Sequence, residues 1–329
     1  MRLSTLLTWM ICPSLSLLAM LGATTGARAQ SDYPSKPIRI MVSAGPATAP
    51  DVVARAMAEE LAKQMGVAVS VENREGAGGN IAHAAAAKAP ADGYNLLLGS
   101  STMVTSVHLV NPQPFSPVRD FIPLGRIGEI PLLAVVGAES RFKTWADVVN
   151  YSRANPGKMN FATMGKGSAS HLFTATLEKE FAMTGVDVSY KSVNQGIIDT
   201  STGKVDMYLA NLPPAIGLLQ AGKLRASGVG STTRLPALPD VPTFAEITGK
   251  PGYRAVLWYG TFVPTGTPPA IIARLTQEVA KAAATPSVKA RIEAAGGVIS
   301  IAPGKDMHEQ LEADYQRFGN LAKELGLVK

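Results

Sequence analysis

The chain has 329 residues and carries 31 Lys and Arg against 25 Asp and Glu, a net charge of +6. It holds no basic block or aromatic-basic run of the kind that grips nucleic acid. The mild positive excess is spread along the chain and favours small anionic molecules. Its only cysteine, Cys12, sits in the apolar N-terminal stretch, so the rest of the chain has no disulfide, thiolate nucleophile or cysteine metal site.

Arg2 precedes an apolar run over 6–21, and Ala27-Arg28-Ala29 has the small-x-small form that a signal peptidase reads, so export with cleavage before Gln30 is expected. The run is short for a bilayer span and no second one follows, so no retained anchor is expected. From Ile38 short apolar strands alternate with amphipathic helices, the pattern of an α/β protein. "IRIMVS" (38–43) reads as a strand and "DVVARAMAEELAKQMG" (51–66) as a helix, with Pro50 in its first turn and Gly66 as its stop. A strand at 68–73, a helix at 80–89 and a strand at 95–100 complete two βαβ-like units, whose loops gather at the carboxyl ends of the strands.

The Pro-rich passage "VNPQPFSPVRDFIPL" (110–124) reads as a surface excursion. A second α/β series begins at 131–137. It continues through a helix at 145–154, strands at 159–163 and 186–190 around a helix at 168–183, a helix at 195–202 and a strand at 205–210. A second Pro-rich passage spans 235–247, "VLWYGTFVP" (256–264) follows, and two long amphipathic helices are expected over 268–284 and 304–325. Two lobes are inferred, the C-terminal segment returning to the first; one continuous sheet is the alternative.

Four loops of small residues end strands or open helices. "FATMGKGSASHL" (161–172) lacks the spacing of a P-loop and of a nucleophile elbow, which leaves backbone N–H groups at a helix start, with Ser168 or Ser170 as a cap or a ligand donor. "SAGPATAPD" (43–51) is a first strand-to-helix turn, a favoured ligand position in open sheets, with Thr48 as its hydroxyl. "REGAGGN" (74–80) is glycine-rich without a phosphate fingerprint, and "GSSTM" (99–103) puts three hydroxyls at the end of a strand. The histidines His83, His108, His171 and His308 lack metal-ligand spacing. Trp258-Tyr259 reads first as a packing element and alternatively as an aromatic cleft wall.

Across nearly the whole mature chain the sequence resembles the substrate-binding proteins of tripartite tricarboxylate transporters, the Bug family. The matching stretches include "YPSKPIRIMV", "DVVARAMAEELAKQMG", "VENREGAGGNIA", "KAPADGYNLLLGS", "PFSPVRDFIPLGRI", "GSASHL", "GKVDMYLANLPPAIGLLQAGKLRASGV", "LPALPDVPTFAE" and "PTGTPPAIIARL". The resemblance implies a periplasmic, type II-like binding protein of two lobes, each a mostly parallel sheet flanked by helices, with the ligand cleft between them. Residues 1–29 would be the signal, 30–130 and 255–329 the first lobe and 131–254 the second, with hinges near 125–135 and 250–260. It also implies a monomer without cofactor or metal that hands a small carboxylate to a permease of a large and a small membrane subunit.

Carried over from the family, the carboxylate-holding positions are Ser43, Ala44, Gly45, Pro46, Ala47 and Thr48 in the first loop and Gly165, Gly167, Ser168, Ser170 and His171 in the second. Ser101, Thr102 and Asn211 match positions that line the cleft. The first loop here is Gly45-Pro46-Ala47-Thr48-Ala49-Pro50-Asp51, where the family usually has paired prolines and glycines. Asn194-Gln195-Gly196 and Ala210 also depart from the common pattern. Methyl groups in place of glycine hydrogens make the backbone less open, which points away from a short aliphatic diacid toward a larger, flatter acid such as terephthalate. The competing readings are an exported hydrolase using Ser168 and His171, and a sensing module for a signalling partner.

Overall fold

Strand β1 (Ile38–Val42) is buried at four of its five positions, and helix α1 (Ala49–Met65) covers it with Val53, Met57 and Leu61. The structure, a computed structural model, describes residues 33–328 apart from Ala47, Val110, Asn111, Gly167 and Ala295. The signal read over 1–29 and the site expectations on Ala47 and Gly167 lie outside the described residues. α1 begins with a proline in its first turn and ends at Gly66 (φ +69°), whose N–H donates to the Ala62 carbonyl, as the sequence indicates.

Strand β2 (Val69–Asn73), helix α2 (Asn80–Ala87) and strand β3 (Asn95–Ser100) follow, and β1 pairs in parallel with both β2 and β3. After the short helix α3 (Thr102–Ser106) comes β4 (Phe121–Gly137), a strand of 17 residues. The first part of β4 lies where a surface excursion is expected from the prolines, and this corrects that reading. Phe115 and Phe121 stack edge-to-face and are buried, and Pro123 is accommodated at a bulge between Pro123 and Gly125, where its missing N–H breaks no ladder.

The second series is α4 (Trp145–Ala154), β5 (Met159–Thr163), α5 (Ala169–Phe181), β6 (Gly185–Ser189), α6 (Val193–Ser201), β7 (Met207–Asn211), α7 (Leu212–Gln220) and β8 (Leu224–Val229). α4 opens with a capping box between Thr144 and Asp147. The chain closes with α8 (Phe244–Thr248), β9 (Val256–Pro264), α9 (Pro269–Ala284), α10 (Pro286–Ala294), β10 (Val298–Pro303) and α11 (Gly304–Glu324).

The strand order is β2-β1-β3-β9-β4-β7-β5-β6, with β8 and β10 also paired to β4. β4 therefore belongs to both lobes. Its first part is antiparallel to β9 and β10, and its last part is antiparallel to β7 and β8. In each lobe a parallel trio meets an antiparallel strand: β2-β1-β3 against β9, and β6-β5-β7 against β4. The carboxyl ends of β1, β3, β5 and β7 are thus equivalent positions of two similar layers, and β4, with β9 beside its first part, is the strand that crosses between them.

Under that crossing lies a cluster of charges. Glu129 on β4, almost fully buried, is paired with Arg254 and with Arg126 (3.3 Å). Arg126 reaches the Ser300 carbonyl (2.9 Å), and Trp258 on β9 donates its indole N–H to Asp314 of α11 (2.8 Å). Breaking one partner of such a buried set leaves an uncompensated charge, so the set fixes how α11 sits behind β4 and β9. α11 also reaches the second lobe, Phe318 packing edge-to-face on Phe173 of α5 at 5.3 Å.

Candidate functional site

A cavity of about 760 Å³ opens at the carboxyl ends of β1, β3, β5 and β7, the place where open α/β sheets hold ligands. From the first lobe it is lined by Ser43, Ala44, Gly45 and Pro50, by the loop Glu75–Asn80, and by Ser100, Thr102, Thr105 and Ser106. The second lobe contributes Met164, Lys166, Ser168, Ala169, Ser170, Val193, Tyr208 and Asn211, and Tyr259 stands on β9 beside the crossing strand β4.

The first loop is held from outside itself. Asn73, at the end of β2, donates through its amide to the Ala44 carbonyl (2.8 Å) and to Asp51 Oδ1 (2.9 Å), and Arg55 pairs with the other oxygen of Asp51 (2.9 Å). Thr48 folds its hydroxyl back onto the Gly45 carbonyl (2.6 Å) and is exposed; neither it nor Pro46 is on the cavity wall. Beside this loop runs Gly76-Ala77-Gly78-Gly79, four residues in succession at positive φ. Ala77, at φ +49°, is strained at this wall, and a side chain at Gly79 would stand 2.8 Å from the ring of His83 and 3.1 Å from Ser43 Cβ. His83 is fully buried there, and burial pushes its imidazole down to about 3, so it is neutral.

The second loop is held by its own hydroxyls. Gly165 N–H donates to Thr163 Oγ1 (3.0 Å) and Met164 N–H to Ser170 Oγ (2.9 Å), while Ser168 Oγ accepts from the main-chain N–H of His171 (3.2 Å) and lies 3.1 Å from Ser170 Oγ. Ser168 is therefore both the cap of α5 and part of the cavity wall. Gly165 (φ +94°) turns the chain without lining the cavity, and His171 is half-buried behind the wall, its imidazole lowered mainly by burial.

Among the remaining expected residues, Thr102 faces the cavity with its hydroxyl 2.8 Å from that of Ser100. Ser101 turns the other way and accepts from the Trp258 N–H (3.1 Å), tying β3 to β9. Asn211 ends β7 at the start of α7, lines the cavity, and its amide has no hydrogen-bond partner among the described residues. Tyr259 forms the aromatic wall, while its neighbour Trp258 is core.

Sequence reasoning missed Tyr208 and Ser106, and it marked the loops that hold Glu75, Asn80 and Lys166 without singling out these side chains. Asn80 and Ser106 join α2 to α3 through a side-chain hydrogen bond of 3.0 Å, and the place of Glu75 follows from the left-handed turn after it. Burial pushes the Tyr208 hydroxyl up to about 12 and raises that of Tyr259 as well, so both are protonated donors at neutral pH; neither has a hydrogen-bond partner among the described residues. The wall thus offers hydroxyl, amide and ammonium donors together with aromatic and aliphatic surface. Among the described residues no cluster of metal-ligating side chains exists, and no helix is long and apolar enough to cross a membrane.

A family model described as "Tripartite tricarboxylate transporter family receptor" matches residues 53–327. A "UPF0065 protein in tcbD-tcbE intergenic region" of Pseudomonas sp. (strain P51) is 36% identical over 82% of this chain and 81% of its own. Protein BugT of Bordetella pertussis is 31% identical over 94% and 97%. A solved structure, R. palustris Rpa4515 with adipate, superposes with a TM-score of 0.76 at 30% identity, covering 90% of this chain and 99% of the other. Matched by the family model along most of its length and by relatives along nearly all of it, the chain belongs to the tripartite tricarboxylate transporter receptors, the family that includes the Bug proteins.

Proposed function

We propose that this protein is an exported receptor without enzymatic activity that captures a small carboxylate between its lobes and hands it to a permease of a large and a small membrane subunit. The observation that carries the reading is the convergence of donors from both lobes on one cavity: the start of α5 with Ser168 and Lys166 on one side, and Ser43, Ser100, Thr102 and Asn80 on the other. The adipate held by the R. palustris relative supports a carboxylate of that general size. The rings of Tyr208 and Tyr259, with Leu132, Val193 and Leu257, make flat apolar walls that favour an aromatic acid of the terephthalate type.

In this reading residues 1–29 are removed on export, 30–130 and 255–329 form the first lobe and 131–254 the second. The lobes close as a monomer about β4 and β9 when ligand bridges them. Three or four charge-assisted hydrogen bonds of ~1.5–3 kcal/mol each, less the cost of closure, bring the dissociation constant to about micromolar.

The test is a thermal-shift series on the chain from Gln30 onward, with aliphatic diacids, benzoate, nicotinate and terephthalate as probes. Binding to the folded state raises the melting temperature by mass action, and a selective shift with the aromatic acids is expected. Selective stabilisation by an aliphatic diacid alone would remove the aromatic reading and keep the receptor. Ester turnover that disappears in Ser168→Ala would replace the receptor with a hydrolase.

A further inference from the structure

Among the described residues only two side chains of the cavity wall are charged, and they come from opposite lobes: Glu75 from the glycine-rich loop after β2, and Lys166 from the loop before α5. Neither has an ion-pair partner among the described residues. Arg74, the residue before Glu75, is committed to Glu72 (2.5 Å), and Arg55 of α1 to Asp51 (2.9 Å). The Glu75 carboxylate lies against the first ligand loop: a methyl group on Gly45 would stand 2.5 Å from its Oε1 and 2.9 Å from its Cδ. It is held at that rim by the left-handed turn at Gly76 (φ +118°) and Ala77 (φ +49°). On the second lobe no carboxylate lines the cavity among the described residues, and Lys166 stands there with the unpaired N–H groups and positive end of the 13-residue helix α5.

We propose that Glu75 and Lys166 polarise the cavity, so that the ligand lies with its carboxylate toward Lys166 and α5 and with a hydrogen-bond-donating end, an amide or an amine, toward Glu75. This rests on the carboxylate-receptor reading and narrows it: the preferred ligand has one carboxylate. A second carboxylate at the far end would meet Glu75 at the Gly45 loop, and two like charges in a closing cleft either repel or force one of them to take up a proton. An amide in the same place gives Glu75 two N–H donors, and an ammonium gives it an ion pair. The two charges thus set which way round a two-ended molecule enters, which the hydroxyls cannot do, since each of them both donates and accepts.

The experiment is calorimetric titration at pH 7.5 of the wild type, Glu75→Gln and Lys166→Gln with two matched trios. One trio is terephthalate, its monoamide and 4-(aminomethyl)benzoate; the other is adipate, its monoamide and 6-aminohexanoate. The amide or amine of a trio is expected to bind the wild type about tenfold or more tighter than the diacid. Glu75→Gln is expected to strengthen the diacid by a similar factor and to erase the advantage of the amine, while Lys166→Gln weakens every binding member alike. If a diacid binds the wild type as tightly as its partners, and Glu75→Gln shifts the ratio by less than about twofold, the polarity is overturned and the carboxylate receptor stands. If no member of either trio binds any of the three folded proteins, the carboxylate reading falls and the polarity falls with it. Glu75 and Lys166 are both exposed at the cavity rim, so matching melting curves are expected to certify that both variants fold.

Discussion

The two strand-to-helix loops that share the cavity occupy equivalent places in their lobes, yet they are braced in different ways. The loop after β1 is fixed by a neighbouring strand, through the Asn73 amide on the Ala44 carbonyl and on Asp51. The loop after β5 is fixed by hydroxyls of its own segment, Thr163, Ser168 and Ser170. The first also has a buried, neutral histidine behind it, whereas the second carries the lysine of the wall. Similar topology therefore yields one loop whose shape depends on long-range contacts and one whose shape is local.

The largest separation is expected in how the lobes respond to pH. His83, behind the first loop, has its imidazole held near 3 by burial against an ordinary 6.5, so the unfolded chain binds the proton more readily than the folded one. Stability is lost as pH falls from about 6.5 toward 3, by on the order of 5 kcal/mol at the limit. Glu178, on α5 behind the second loop, is pushed up from 4.5 to about 7, first by burial and in spite of a hydrogen bond from the Gly185 N–H. Here the folded state holds the proton, so this contribution is present below about 4.5 and is lost as pH rises through 7. Solvent screening brings it to about 1–2 kcal/mol. Urea denaturation between pH 4 and 8 is expected to show a flattened acid limb in His83→Met and a smaller fall between pH 5 and 7 in Glu178→Gln. Parallel curves for wild type and both variants would mean that neither side chain titrates differently on folding.

Next in size is the brace. Asn73→Ala removes both donors from the first loop and leaves the Ala44 carbonyl and one oxygen of buried Asp51 with less satisfaction, at a cost of about 2 kcal/mol. The loop carries part of the cavity wall, so affinity for any bound acid is expected to fall along with the urea midpoint. Equivalent loss of stability with full affinity would separate the brace from the site.

The alternation of strands and helices over 38–100 was legible because β1 and β3 are apolar runs and α1 carries its capping proline and terminal glycine in sequence. β4 was half legible. Its last seven residues are a plain apolar run, but Pro123, Gly125 and Gly128 interrupt its first part, and only pairing with β9 and β10 holds that part extended. β8, buried at four of its six positions without alternation, and β10, buried at only one of six, have no strong pattern of their own and exist because β4 offers them an edge. At the site, small-residue loops signalled the places but not the facing of individual side chains. Ser101 and Thr102 are adjacent and chemically alike, and the first ties two strands while the second lines the cavity. Tyr208 carries no local signal at all, since a tyrosine near the end of a buried strand reads as core.

The smallest effects test the same contrast at single hydroxyls. Ser168 caps α5 through the His171 N–H and lines the cavity, so Ser168→Ala removes a cap worth about 1 kcal/mol and also one wall donor. Thr48 sits at the corresponding start of α1, but its hydroxyl is spent on the Gly45 carbonyl and it is off the wall, so Thr48→Val acts on the turn alone, by about 0.5 kcal/mol. Ligand affinity is therefore expected to drop about fivefold or more in Ser168→Ala and less than about twofold in Thr48→Val, read as dissociation constants for one acid on both variants. The opposite order would mean that the first loop presents Thr48 to the ligand on closure, which requires its hydroxyl to leave the Gly45 carbonyl. Thr48→Ser, which keeps the hydroxyl and drops the methyl, would then restore binding.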